Sequence, residues 1–239
     1  MIMRDWFWRL VAPRGRPAVW TPLAVLPAML LILEPTGLDL RLQDMLWIDG
    51  ASAHWIVDSD DLWPRLLFYR LPRWLVTATG ISMLAASVAC YWVPRLYRWR
   101  RQFLFLTLSI ALVPGLVGTL KAVSDVHCPS HLVRYHGDQP YDAIAVRLID
   151  PVTTTTRGRC FPAGHASGGF ALLALGWLSP NRRWRFTGWA VGVAAGSVTG
   201  GYQMAKGVHF LSHTIATLLL ALAVTAWLAG VIWHRNRVP

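Results

Sequence analysis

Gln102–Leu120 reads QFLFLTLSIALVPGLVGTL, an apolar run without Asp, Glu, Lys or Arg, closed at its ends by Arg101 and Lys121. About 20 helical residues cross a hydrocarbon core of roughly 30 Å, so this run suffices to span a bilayer. The pattern recurs at Pro17–Leu33, Trp74–Val93, Ala166–Asn181, Phe186–Ala205 and Thr214–Trp233. Ala166–Asn181 is the shortest and must borrow Pro162–His165 at its start. The expected fold is an all-α integral membrane protein: six transmembrane helices in one bundle, with a large outer loop between helices three and four. One domain over 1–239 is expected. The first run follows an Arg-rich lead and has no small-residue cleavage site after it, so it reads as a retained helix and not a signal peptide.

Composition agrees. Hydrophobic residues make up 54% of the 239, charged residues only 15%, and the mean hydropathy is +0.39; a soluble domain carries roughly 25% charge. The 14 tryptophans suit rings anchored at headgroup depth. A net charge of +11 raises the question of nucleic acid, but its distribution points to membrane orientation instead. Arg4, Arg9, Arg14 and Arg16 precede the first span, and Arg95, Arg98, Arg100 and Arg101 separate the second and third. Arg182, Arg183 and Arg185 join the fourth and fifth, and Arg235 and Arg237 follow the sixth. The positive-inside rule puts these segments and both termini in the cytoplasm. Seven of eight histidines, all but His234, then fall on the outer side. So do Cys128 and Cys160, which read as a disulfide in an oxidising compartment, as two unpaired thiols, or as part of a metal site. A bacterial inner membrane with a periplasmic site is the expected location.

Between the spans, Met1–Arg16 reads as an interfacial amphipathic segment. Thr36–Arg73 is expected along the outer surface on Trp47, Trp55 and Trp63, and Ala122–Gly164 as an irregular pocket wall or lid. Imidazole can act as acid, base or nucleophile near neutral pH. His165 lies in Phe161-Pro162-Ala163-Gly164-His165-Ala166-Ser167-Gly168-Gly169 and His209 in Lys206-Gly207-Val208-His209-Phe210-Leu211-Ser212-His213. Both stand where an apolar run meets a polar loop. The glycines keep the first turn of span four narrow, so that an anion can approach its free N–H groups and positive dipole end. Ser124 and Asp125 read by default as solvated loop positions.

The order and spacing of Lys121–Pro129, Phe161–Gly169 and Gln203–His213 resemble the three signature motifs of the type-2 phosphatidic acid phosphatase superfamily. Lys121 and Pro129, then Pro162, Gly164 and His165, then His209 keep the motif positions, over about residues 121–213. Cys128 stands for the motif arginine, Ala163 for a serine, Tyr202-Gln203 for a Ser-Arg pair and His213 for an aspartate. The resemblance implies a membrane phosphatase in which His209 attacks phosphorus to form a phosphohistidine and His165 protonates the leaving oxygen. Lys121, Gly164, Ser167, Gln203, Lys206 and Arg159 are the expected substrate-binding residues. Arg134 and Arg157 are further candidates to replace the missing arginines. His213, or Asp125 from across the site, would orient His209. No cofactor or metal is required by that route. Candidate substrates are undecaprenyl diphosphate, phosphatidylglycerol phosphate, phosphatidic acid and lipid A phosphates, reached from the lipid bilayer.

Three other readings stand beside this one. A phosphohistidine can pass its phosphoryl group to a second lipid. The altered motifs also fit a non-catalytic lipid-phosphate binder. His209 and His213, at i and i+4 beside His127, His131 and the cysteines, could ligate a metal, although no Glu accompanies them as in zinc hydrolases. A small-solute transporter lacks support, with no internal repeat and no mid-membrane charged pair.

Overall fold

The computed structural model describes residues 17–50, 52–58, 61–149 and 157–234. The Arg-rich lead, Asp60, the Thr153–Thr156 run, Arg235 and Arg237 lie outside these. Helix α1 (Pro17–Thr36) starts on a proline, whose fixed φ suits a first turn. Gly37, at φ 63°, turns the chain into α2 (Leu38–Asp44). Strands β1 (Trp47–Ile48) and β2 (His54–Trp55) pair antiparallel, with Trp47 opposite Trp55. Helix α3 (Leu62–Arg65) passes through a π-helical turn, Leu66–Arg70, into α4 (Leu71–Ala89). A single turn, α5 (Pro94–Tyr97), leads to α6 (Arg100–Val123). The outer loop holds two 3-10 turns and the short α7 (Ile144–Ile149). Helix α8 (Gly164–Ala171) tightens into a 3-10 stretch, Leu172–Trp177, followed by α9 (Arg182–Ala205) and α10 (Leu211–His234).

Three helical segments, Ala18–Thr36, Arg100–Val123 and Leu211–Trp233, are long and apolar enough to cross a membrane. The other three expected runs are helical as well, but less apolar or shorter. Helix α9 is as long as α6 yet carries three arginines in its first turn and many glycines. Those glycines have a packing reason. Gly188, Gly192 and Gly196 recur every four residues on one face, and a Cβ there would collide with the backbone of Leu175–Gly176, the backbone of Leu173 and the Phe170 ring. Gly169 meets the Ala195–Gly196 backbone in return.

Helix α8 is thereby central. Ala166 and Phe170 share a buried cluster with Val113 of α6, Trp189 of α9 and Ala221 of α10. Helix α10 packs on α1, α6 and α8, and α4 packs on α6 and touches α8. Helices α4 and α9 make no extended contact, and the gap between them opens beside α8.

Outside the helices, Cys128 and Cys160 form a disulfide, which realises one of the three sequence readings for that pair. Trp47 and Trp55 stack edge to face, 4.8 Å between centroids, and pack on Tyr135. Trp63 is exposed.

Candidate active site

Lys121 sits in the last turn of α6. The chain then leaves the helix through Ser124, whose hydroxyl donates to the Phe161 carbonyl. That bond holds the exit of α6 against the entry of α8. The entry is fixed on its other side as well: Ala163 N–H donates to the His213 carbonyl at 3.2 Å, and the Thr217 hydroxyl donates to the Ala163 carbonyl at 3.2 Å. Gly164 therefore starts α8 beneath the Lys121 side chain. A Cβ at Gly164 would lie 3.9 Å from Lys121 Nζ.

His209 arrives from the link between α9 and α10. Gly207, at φ 68°, ends α9 with two reversed bonds, Gly207 N–H to the Met204 carbonyl and Val208 N–H to the Gln203 carbonyl. This glycine-capped ending is common at helix C-termini. Trp55 packs where a Gly207 side chain would be, and Ser130 N–H donates to the Gly207 carbonyl at 2.9 Å. Two residues later His209 is fully buried, with Nε2 3.0 Å from His165 Nδ1. His165, His209 and Lys121 thus converge.

A pair of neutral rings at that distance shares one proton, so one nitrogen donates and the other accepts. The Cys160 backbone lies near His209 and His213, but His209 Nδ1 and both His213 ring nitrogens make no hydrogen bond. With His165 Nδ1 as the donor of that pair, the His209 Nε2 lone pair is directed at His165. Burial, and then the nearby His213, His165 and Lys121, hold the His209 pKa well below the ordinary 6.5.

Of the other expected residues, Ser167 is buried and its hydroxyl donates to the Gly164 carbonyl at 2.6 Å. Gln203 is buried at the end of α9. Lys206 Nζ stands 5.5 Å from the Tyr202 ring centroid, and its charge acts on His165. Arg159 is exposed and outside the cavity lining. His213 is fully buried between Phe161 and Phe210, its centroid 5.8 Å from that of His209. Neither of its ring nitrogens makes a hydrogen bond, so it does not hold His209 in the manner expected.

Several loop expectations change. Ser124 and Asp125 are buried, because the disulfide-linked loop folds over them. Asp125 accepts from Gly158 N–H at 2.7 Å and pairs with buried Arg147 at 3.6 Å, so it is committed away from His209. Arg134 forms a two-pronged pair with Asp44, at 2.8 and 2.7 Å. Arg157 donates to the Val123 carbonyl. Neither lines the cavity that opens beside His165. Among the described residues, no group of three or more His, Cys, Asp or Glu side chains is arranged to hold a metal.

A cavity of about 860 Å³ opens beside His165, bounded by α4, α6, α8 and α9. Along α4 it runs from Arg73 to Leu84, roughly 16 Å at 1.5 Å per residue. Val76, Ile81, Leu84 and Ile110 give it apolar walls, and Gly168 leaves its floor clear. Tyr69 and Arg73 stand at the polar end with His165. The sequence reading missed both. The available signal was their i, i+4 spacing beside the outer end of the second run.

The fold and site define a helical protein with paired imidazoles at the head of an apolar cavity. The profile of the PAP2 superfamily matches residues 102–237, and the chain belongs to that superfamily. Membership supports a phosphoric ester hydrolase acting on phosphate-bearing substrates. No curated protein and no solved structure matches the chain.

Proposed function

We propose that the protein is an integral-membrane phosphatase that removes phosphate from a lipid phosphate or diphosphate through a phosphohistidine on His209. The observation that carries this reading is the 3.0 Å pairing of His165 and His209 at the head of a largely apolar cavity large enough for a lipid tail. The His209 Nε2 lone pair attacks phosphorus as the bond from phosphorus to the lipid oxygen breaks, and His165, which takes up a proton from solvent when the phosphate dianion binds beside it, gives that proton to the oxygen and returns to the neutral ring. Water then attacks the phosphohistidine while His165 takes back a proton, releasing phosphate and neutral His209. Lys121 and Lys206 balance the phosphate charge, and the N–H groups of the first turn of α8 receive its oxygens. Ser167 and Gly164 shape that turn, and Gln203 supports the link carrying His209. His213 supplies a neutral buried wall behind the nucleophile.

The gap between α4 and α9 supports entry of the lipid sideways from the bilayer. Six spans in a single domain, cytoplasmic termini and a periplasmic site in a bacterial inner membrane fit the arginine pattern, and the Cys128–Cys160 disulfide fits an oxidising face. Undecaprenyl diphosphate, phosphatidylglycerol phosphate, phosphatidic acid and lipid A phosphates form the substrate panel. The test is phosphate release from that panel by detergent-purified protein, for the wild type, His165→Ala and His209→Ala. Both variants should lose release. No release by the wild type from any lipid sinks the proposal, and undiminished release by His209→Ala removes the nucleophile.

A further inference from the structure

The motif arginines are absent at Cys128 and Gln203, and Arg134 and Arg157 are engaged elsewhere. Lys121 and Lys206 offer point charges to a phosphate dianion beside His165, but neither supplies the paired N–H donors of a guanidinium. We propose that Arg73, carried by α4 outside the family-matched region, is a phosphate-binding residue of this site, held in place by Tyr69. The inference rests on the phosphatase reading for the identity of the ligand.

Five observations support it. Arg73, Tyr69 and His165 line the same end of the cavity. Arg73 Nη1 donates to the Tyr69 hydroxyl at 3.2 Å. The Tyr69 ring meets the His165 ring edge on, 5.4 Å between centroids. Among the described residues, Arg73 has no carboxylate within ion-pair reach, and its side chain is exposed. Its charge, with those of Lys121 and Lys206, is one of the three that act on His165.

The local fold explains why the residue is there. The π-helical turn Leu66–Arg70 precedes α4 and brings Tyr69 to His165 and Phe68 to Tyr202 of α9. One π-helical turn inserted in a longer helix resets which side chains face inward, and such turns recur at functional sites. Tyr69 and Arg73, four residues apart, then present one polar edge toward the cavity mouth. Guanidinium offers two parallel N–H groups to phosphate oxygens, a geometry that ammonium cannot copy.

The test uses full-length protein in detergent with inorganic phosphate as the probe, measured by equilibrium binding and as a competitive inhibitor of lipid-phosphate hydrolysis. Arg73→Gln should weaken phosphate binding about tenfold or more, the usual loss for a charged hydrogen bond. Arg73→Lys should recover part of it, and Tyr69→Phe should cost a few-fold by releasing the guanidinium. Phosphate binding by Arg73→Gln equal to wild type overturns the proposal. So does a lowered melting temperature with unchanged phosphate affinity in the folded protein, which marks a structural role. Should the wild type release phosphate from no lipid, the catalytic reading fails, and the binding measurement still decides Arg73.

Discussion

Replacing Asp39 with alanine should loosen the link that carries His209, although Asp39 hydrogen-bonds to neither imidazole of the proposed catalytic pair. Asp39 is 2% exposed, and its Oδ1 accepts from Ser212 N–H at 3.0 Å, in the first turn of α10. One helical turn on, fully buried Gln43 donates to the Met204 carbonyl at 2.8 Å, in the last turn of α9. The two lie on one face of α2 and satisfy an orphan donor and an orphan acceptor on either side of the Lys206–Phe210 link. An unsatisfied buried N–H costs about 1–3 kcal/mol, so Asp39→Ala should raise local opening of the link by about 5- to 150-fold.

Asp39→Asn separates shape from charge. Burial pushes the Asp39 pKa above its ordinary 3.8, ahead of the lowering from its bonds at Ser212 and Leu211. An acid with a raised folded pKa binds more protons folded than unfolded. Its contribution is therefore full below pH 3.8 and is lost as pH rises through the folded value. Asparagine keeps the acceptor and removes that charge cost, so it should behave close to wild type at neutral pH. Hydrogen exchange over residues 206–214 reads the opening directly, with phosphate release measured in parallel. Unchanged exchange in Asp39→Ala would refute the argument, as would equal loosening by alanine and asparagine.

Ala111→Trp fills the middle of the cavity from α6, at an exposed lining position. It should slow long-tailed lipid phosphates at least tenfold and spare a short-chain monoester, and equal slowing of both would place the tail elsewhere. Reducing the Cys128–Cys160 disulfide, or Cys128→Ser with Cys160→Ser, removes a cross-link over a separation of 32 residues, worth about 4 kcal/mol by loop entropy. Melting should fall and phosphate release with it, because Cys160 also faces the buried rings; unchanged melting after complete reduction would contradict this. Burial holds the His209 pKa well below its ordinary 6.5, so in the proposed mechanism the ring stays unprotonated and able to attack as pH falls past that value. The acid limb of kcat/KM should lie below pH 6.5, and a limb well above it would be inconsistent with the buried ring.

The apolar runs were legible because hydrophobic length is local: each expected run contains a helix, and three meet the length and apolarity needed to cross a membrane. The His165–His209 pair was legible because motif spacing encodes which helix ends meet. What escaped the sequence were contacts set by packing at long range. Asp39 and Gln43 look like solvent-facing loop residues until α2 is docked under the link. Asp125 reads as an open loop carboxylate until the disulfide-linked loop folds Arg147 over it. Arg73 reads as one more arginine at the end of a span, because nothing local announces a π-helical turn.

The altered motif positions make better physical sense together than singly. Position 213 is fully buried, and a carboxylate there would need a partner to offset its desolvation. Gln203 and Cys128, at the motif arginine positions, carry no charge that could act as that partner. A neutral His213 between two phenylalanines avoids the uncompensated charge. The Cys160 backbone near His209 carries no net charge and is fixed by the disulfide and by Cys160 N–H bonding to the Val126 carbonyl at 2.9 Å. In the proposed site, positive charge for phosphate comes from Lys206 and from exposed Arg73 in the cavity lining, where solvent lowers the cost of holding it before substrate arrives. The proposed phosphatase therefore requires a neutral buried interior with its phosphate-binding charge on exposed Arg73, and undiminished phosphate binding by Arg73→Gln would leave the missing motif arginines without a replacement.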